Sequence, residues 1–424
     1  MSTPKTKPKE RKMYYVGIDI AKRTHVAVIM KEDNSLAVKP FSFHNDKSGF
    51  KKLLIHLQAL ACDLSDIVIG MEATGLLFEN LYRHLQNLEY NVVLLNPYQT
   101  AKFREMDTMK RVKNDNIDSV MIAALLKSGR FSEGYVSQEQ LQSLRELYRH
   151  RNSIENQLKA LKRQTSAILT VVFPELETVI RDPFNVSGLA LLDKYPTAKH
   201  YTNASAERIL KTFRGIKGNN FNRNKAQALL DASRRTIYSG IAKDARAFNI
   251  RTNIEQVRLL QKQLDQTLEM MQNLFNSKEA KQEDQEVMEE LIDNLRTIPG
   301  VADKTILALL AECGNLDRFY APKALIGFLG LYPTLSQSGD STRNGRLAKR
   351  GASLAKKAIY LASIAAIRHN DEMRTIYMNY RSKGRAKKEA IIIVARKLLT
   401  IIYTIYTRNI PYDPQRVFVA KPNQ

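Results

Sequence analysis

The amino-acid sequence predicts an α/β domain at the N-terminus followed by a long, mostly helical remainder. Three observations carry that reading. Short apolar runs recur between residues 14 and 95, with stretches of helical spacing between them. From about residue 138 the strand-like runs give way to long 3-4 apolar periodicity. Four acids sit at the ends of apolar runs or at a helix mouth in the first region, and apolar surroundings normally exclude an unpaired carboxylate.

Residues 1–13 hold Lys5, Lys7, Lys9, Arg11 and Lys12 with Pro4 and Pro8. No apolar h-region follows them, so they read as a disordered basic arm and not a signal peptide. Strand candidates are 14–20, 25–31, 37–43, 67–72 and 91–95, and the helical runs are Lys47–Ala61, Leu76–Leu88 and Ile117–Lys127. Strand–strand–strand–helix–strand–helix–strand–helix is the order of an RNase H-like domain, expected over 14–130.

Residues 131–290 form the expected middle. Leu144, Leu147, Ile154, Leu158, Leu161 and Ile168 make one apolar seam, and Val257, Leu260, Leu264, Met271 and Leu274 another. These are coiled-coil seams, two arms of an antiparallel hairpin, or two helices of one bundle. Between them, 182–250 is helical and basic, broken by Gly215 and Gly218. Its charge is either a solvated face or a nucleic-acid contact.

The C-terminal domain is expected over 291–410, with a tail at 411–424. Leu295 to Ala311 has the form of a helix-hairpin-helix, with Pro299-Gly300 as the turn and the next helix start available to a phosphate. Ala302 stands where a second glycine is usual. Residues 330–351 read as a Ser- and Gly-rich loop carrying Arg343, Arg346, Lys349 and Arg350. The basic run 381–388, with Lys383, Arg385, Lys387 and Lys388, is a second candidate phosphate contact. The apolar stretch Ala390 to Tyr406 is broken by Arg396 and Lys397 and reads as too short to span a bilayer.

Sixty-six Lys and Arg against 43 Asp and Glu give a net charge of +23. A polyanion is the expected partner, bound in a salt-dependent way, though charge alone does not separate DNA from RNA. Cys62 and Cys313 lie far apart and indicate no disulfide framework, and the seven histidines show no zinc spacing.

The chemistry is in the acids. Asp19 lies in the first strand, Glu72 ends the fourth, and Asp115 and Asp118 share one face at the mouth of a helix. Each alone has an ordinary reading as a turn cap, a strand end or a helix-dipole acid; the combination is what is specific. Hard oxygen donors without His or Cys favour Mg²⁺, with Mn²⁺ as a substitute, over zinc. This is the layout of a two-metal phosphodiester-cleaving site. The Asp-x-Gly-x-Thr opening of an actin-like ATPase is not met, because Ile20-Ala21-Lys22 follows Asp19.

Tyr15-Val-Gly-Ile-Asp-Ile-Ala-Lys22, Met71-Glu-Ala-Thr-Gly75, Lys113-Asn-Asp-Asn-Ile-Asp118, the Ile298-Pro-Gly300 hairpin, Gln337-Ser-Gly339 and Gly345-Arg-Leu-Ala-Lys-Arg-Gly351 together resemble one family. It comprises the DEDD transposases of bridge-RNA-guided insertion sequences, relatives of the Piv invertases, whose metal domain is RuvC-like. The resemblance covers nearly the whole chain. It implies Mg²⁺ on Asp19, Glu72, Asp115 and Asp118, and a catalytic serine that falls by position on Ser338. It also implies a homo-oligomer (dimer or tetramer), double-stranded donor and target DNA, and a structured guide RNA. A bacterial or archaeal cytoplasmic, nucleoid-associated location follows, with no membrane. Departures are local: Asn114 in place of a common Thr, Asp340-Ser341 after Ser-Gly, and Ala302.

The function expected is that of an insertion-sequence recombinase working through a phosphoserine link, which keeps the strand's bond energy and needs no ATP. No His lies near Ser338 in sequence, so metal coordination would take the place of a general base. The alternatives are a RuvC-like junction-resolving nuclease using only the acids and water, and a non-catalytic nucleic-acid-binding scaffold.

Overall fold

Two units make up the computed structural model, residues 1–136 and 137–424. The structure describes residues 12–73, 75–107, 114–131, 134, 139–217, 219–274, 282–338, 341–348 and 351–417; residues 1–11 of the expected N-terminal arm and 418–424 of the expected tail lie outside them.

In the first unit the elements run β1 (Tyr14–Asp19), β2 (Thr24–Lys31), β3 (Leu36–His44), α1 (Lys47–Gln58), β4 (Ile67–Glu72), α2 (Glu79–Asn87), β5 (Asn91–Leu95), α3 (Pro97–Asp107) and α4 (Asp115–Ser128). The sheet order is β3-β2-β1-β4-β5. β1, β2 and β3 are antiparallel, whereas β4 and β5 run parallel to β1. Alternation along β1 and β4 sends Val16, Ile18, Ile69 and Met71 into a core shared with Leu53, Leu57, Leu81 and Leu85 of α1 and α2. The opposite face takes α4, whose Ile122, Leu125 and Leu126 pack with Val93 and Leu95. The sheet is thus covered on both faces, which is why its central strands read as continuous apolar runs.

Gly17 and Gly70 pair across β1 and β4. A Cβ on Gly17 would lie 2.0 Å from the Ser119 carbonyl oxygen and 2.5 Å from the Ala123 amide nitrogen, and one on Gly70 would strike the Leu126 side chain. The two glycines therefore form a furrow in which α4 lies directly on the sheet.

In the second unit the helices are α5 (Glu139–Val172), α6 (Leu176–Val179), α7 (Val186–Lys194), α8 (Ala206–Lys211), α9 (Arg223–Arg235), α10 (Lys243–Asn273), α11 (Gln282–Arg296), α12 (Asp303–Cys313), α13 (Pro322–Phe328), α14 (Ser353–His369), α15 (Asp371–Ser382) and α16 (Lys387–Arg408). A hairpin of β6 (Pro333–Ser338) and β7 (Ser341–Leu347) precedes α14. The two apolar seams pair with each other inside the chain, as α5 against α10. Their order is antiparallel. Leu161 and Leu169 share a core with Ile250, Ile254 and Val257, whereas Leu141 and Leu144 share one with Met271. Asn253 Nδ2 donates to Thr165 Oγ1 at 3.1 Å, a polar rung in that seam.

Two expectations change. Residues 333–338 and 341–347, read as part of a loop, pair as the antiparallel strands β6 and β7. The apolar stretch around Ala390 is longer than it read: α16 has 22 residues and is long and apolar enough to cross a membrane by length and composition alone. Arg396 and Lys397 do not break it, because its apolar residues line a core (Val394, Leu398, Leu399, Ile402 and Ile405) while Arg396 stays exposed.

Candidate metal centre

Asp19 ends β1 and Glu72 ends β4. Ile18 pairs with Met71, so the two acids stand side by side at the C-terminal edge of parallel strands. Each lies two residues beyond a furrow glycine, on the face that α4 covers. α4 starts beside them. Its N-cap is Asn114, whose side chain accepts from the Asn116 amide at 3.0 Å. The first turn then presents Asp115 to solvent and buries Asp118 to 3% exposure.

Asp19 feels the other three acids. The Asp19 carboxyl is pushed up to about 6, first by burial and then by Asp118, Asp115 and Glu72, with Arg104 opposing. Two side chains of α3 engage the group. The Arg104 guanidinium meets Asp118 Oδ1 at 3.0 Å, and the Thr100 hydroxyl donates to Glu72 Oε2 at 2.8 Å.

Carboxylates crowded near Asp19, with no His or Cys among the four candidates, fit a hard divalent cation such as Mg²⁺ or Mn²⁺ in their chemistry. They are not drawn to a common point: among the described residues no three His, Cys, Asp or Glu side chains converge at ligand distance. Asp118 and Glu72 are instead bonded to Arg104 and Thr100.

The other candidates lie in the second unit. Ser338 closes β6 and pairs with Ser341, while Arg343 stands opposite Ser336. Arg346 follows on β7, and Lys349 and Arg350 lie outside the described residues. Lys383, Arg385, Lys387 and Lys388 are exposed around the turn between α15 and α16, where Gly384 adopts φ +79. The expected helix pair is α11 and α12, joined at Gly300 (φ +94), where a Cβ would lie 2.4 Å from the Ala366 amide nitrogen of α14. Asp303 occupies the first turn of α12 and receives Arg296 Nε at 2.7 Å. A carboxylate at that helix start opposes a phosphate there.

Reading the sequence missed Thr100 and Arg104 because it placed no helix after β5. The signal was Asn96-Pro97: a proline at the first helical turn behind an Asn whose Oδ1 accepts the Tyr98 amide at 3.0 Å. It also missed the matched Gly-x-acid spacing, Gly17-Ile-Asp19 and Gly70-Met-Glu72.

Comparison with known proteins gives concordant results. Residues 16–174 match a transposase family model of the DEDD, IS110 type. Residues 292–378 match the model of the transposase IS116/IS110/IS902 family. The pilin gene-inverting protein of Moraxella bovis is 23% identical over 94% of this chain and 97% of its own length. The transposase for insertion sequence element IS1111A of Coxiella burnetii is 26% identical over 28% of this chain and 33% of its own length.

Proposed function

We propose, from the premise that this chain is an IS110-type DEDD transposase and hence a DNA recombination enzyme, that it cuts and rejoins the strands of an insertion sequence through a phosphoserine link at Ser338. Its partners in this reading are double-stranded donor and target DNA, a structured guide RNA and further copies of itself, in the cytoplasm on the nucleoid. The observation that carries the reading is that Glu72, at the end of β4, and Asp115 and Asp118, in the first turn of α4, all act on Asp19 at the end of β1. The strand order β3-β2-β1-β4-β5, with acids ending β1 and β4, supports an RNase H-like, RuvC-like domain.

Asp19, Glu72, Asp115 and Asp118 would hold Mg²⁺. When bound, the ion supplies Lewis acidity that polarises the scissile phosphate and eases deprotonation of the attacking hydroxyl. Ser338 Oγ attacks phosphorus, the strand's P–O bond breaks, and the leaving strand end keeps a hydroxyl that can later reverse the step on a new phosphate. Arg343 and Arg346, on the strand after Ser338, would offset charge on the phosphorane. The α11–α12 helix-hairpin-helix would then serve mainly as packing against α14, given Asp303 at its helix start.

Trapping settles the chemistry. Incubation with Mg²⁺, guide RNA and a nicked DNA substrate should give a covalent protein–DNA adduct whose phosphopeptide maps to Ser338. Ser338→Ala should bind nucleic acid normally, since one hydroxyl adds little to a largely electrostatic interface, yet form no adduct. Cleavage by the alanine variant without any adduct would instead favour a nuclease that uses water.

A further inference from the structure

We infer that Arg104 is the resident counter-ion of the acid cluster, and that a divalent ion and the Arg104 guanidinium exclude each other on Asp118. The inference rests on the metal reading above. Asp118 is 3% exposed, and a carboxylate so buried stays charged only beside a positive partner. Arg104 supplies it at 3.0 Å, and its field also reaches Asp19. A divalent ion held by Asp118 and its acidic neighbours would compete with the guanidinium for the charge of that buried carboxylate.

The release has a built-in route. Thr100 and Arg104 are four residues apart on one face of α3 and hold Glu72 and Asp118 respectively. α3 docks through Thr100, Arg104 and the half-buried Phe103, while Tyr98 and Met106 are exposed on the same helix, Met106 to 85%. Little apolar area therefore fastens it, and such elements open at low cost. Metal binding would then be coupled to a shift of α3 in which Thr100 and Arg104 let go of Glu72 and Asp118.

Mn²⁺ alone, titrated into the full-length protein and read by the spin-resonance signal of the free ion, tests this without any turnover. Arg104→Gln should bind Mn²⁺ roughly tenfold more tightly, since the guanidinium that competes for the buried Asp118 carboxylate is gone. Arg104→Lys should stay near wild type. In parallel, hydrogen exchange of the peptide covering Pro97–Asp107 in the wild-type protein should speed up when Mn²⁺ is added. Unchanged or weaker binding by Arg104→Gln would overturn the inference and make Arg104 a support that positions Asp118 for metal. Should that variant fail to fold, unchanged or slowed exchange in the wild type overturns it equally. Asp19→Asn should abolish binding; if the wild type also binds nothing, the metal reading itself has failed.

Discussion

Arg149 on α5 grips Glu312 at the end of α12 with both prongs, Nε to Oε1 at 2.8 Å and Nη2 to Oε2 at 3.1 Å. One turn earlier on α5, Arg145 Nε donates to the Ala311 carbonyl oxygen at 2.8 Å. Glu312 is buried and Arg149 is half exposed, so the two partners are not equivalent. Arg149→Met should cost about 2 kcal/mol by leaving a buried carboxylate without its partner. Glu312→Gln should cost less, because the released guanidinium can turn to water. Urea unfolding of the two variants checks the order; equal losses would deny the asymmetry.

Each of Asp19→Asn, Glu72→Gln, Asp115→Asn and Asp118→Asn should bring strand cleavage below detection. Their effects on the metal-free protein should diverge. Asp19→Asn relieves repulsion and should raise the melting temperature by about 2–4 °C for each kcal/mol relieved. Asp118→Asn breaks the Arg104 pair and should lower it. A variant that keeps near-normal cleavage removes its residue from the site.

Gly17→Ala should do more harm to activity than its size suggests. The new methyl group meets α4 backbone at 2.0 and 2.5 Å, so α4 must lift and carry Asp115 and Asp118 with it. A stability loss of about 1–3 kcal/mol should accompany a cleavage loss of about a hundredfold or more. Gly70→Ala meets the Leu126 side chain at 2.4–2.8 Å and not the α4 backbone among its three nearest atoms, and should be the milder change. Comparing cleavage rates and melting curves of the pair decides it.

His25 is fully buried, and burial holds its pKa below the usual histidine value, with Asn45 opposing. Its Nδ1 accepts the Ala21 amide at 3.2 Å, which requires the neutral ring. As pH falls below 6.5 the unfolded chain takes up this proton first, so stability is lost from 6.5 downward until the lowered folded value is passed. The slope should reach at most about 1.4 kcal/mol per pH unit. His25→Gln should flatten it between pH 6.5 and 5. An unchanged slope in that variant would assign the acid sensitivity elsewhere.

The strands of the first unit were legible because both faces are covered and their apolar runs are bounded by turns, and Asp19 and Glu72 were legible as acids ending such runs. α3 was not, because its helix buries few apolar residues and so leaves no 3.6 periodicity to find. The close approach at Gly17 and Gly70 was also hidden: a glycine's packing role depends on what lies above it, which only the tertiary arrangement reveals. In the second unit the seams were readable as apolar stripes, but a stripe cannot say which stripe it faces. The β6–β7 hairpin escaped because its Ser- and Gly-rich strands lack the alternation that marks a half-buried strand.

The core that α16 completes also contains Leu141 and Leu144 from the opening turns of the same unit. Its earliest and latest contributors are therefore separated by most of the unit's sequence, with the whole 182–250 module emerging between them. During synthesis α5 must wait for α16 to leave the ribosome before its first turns find their lasting neighbours. A 22-residue apolar helix then arrives after α12 and α14, with which it shares that core. Until it docks, the nascent chain leaves that core's apolar face open, so a ribosome stalled before α16 should yield a chaperone client and not a smaller folded protein.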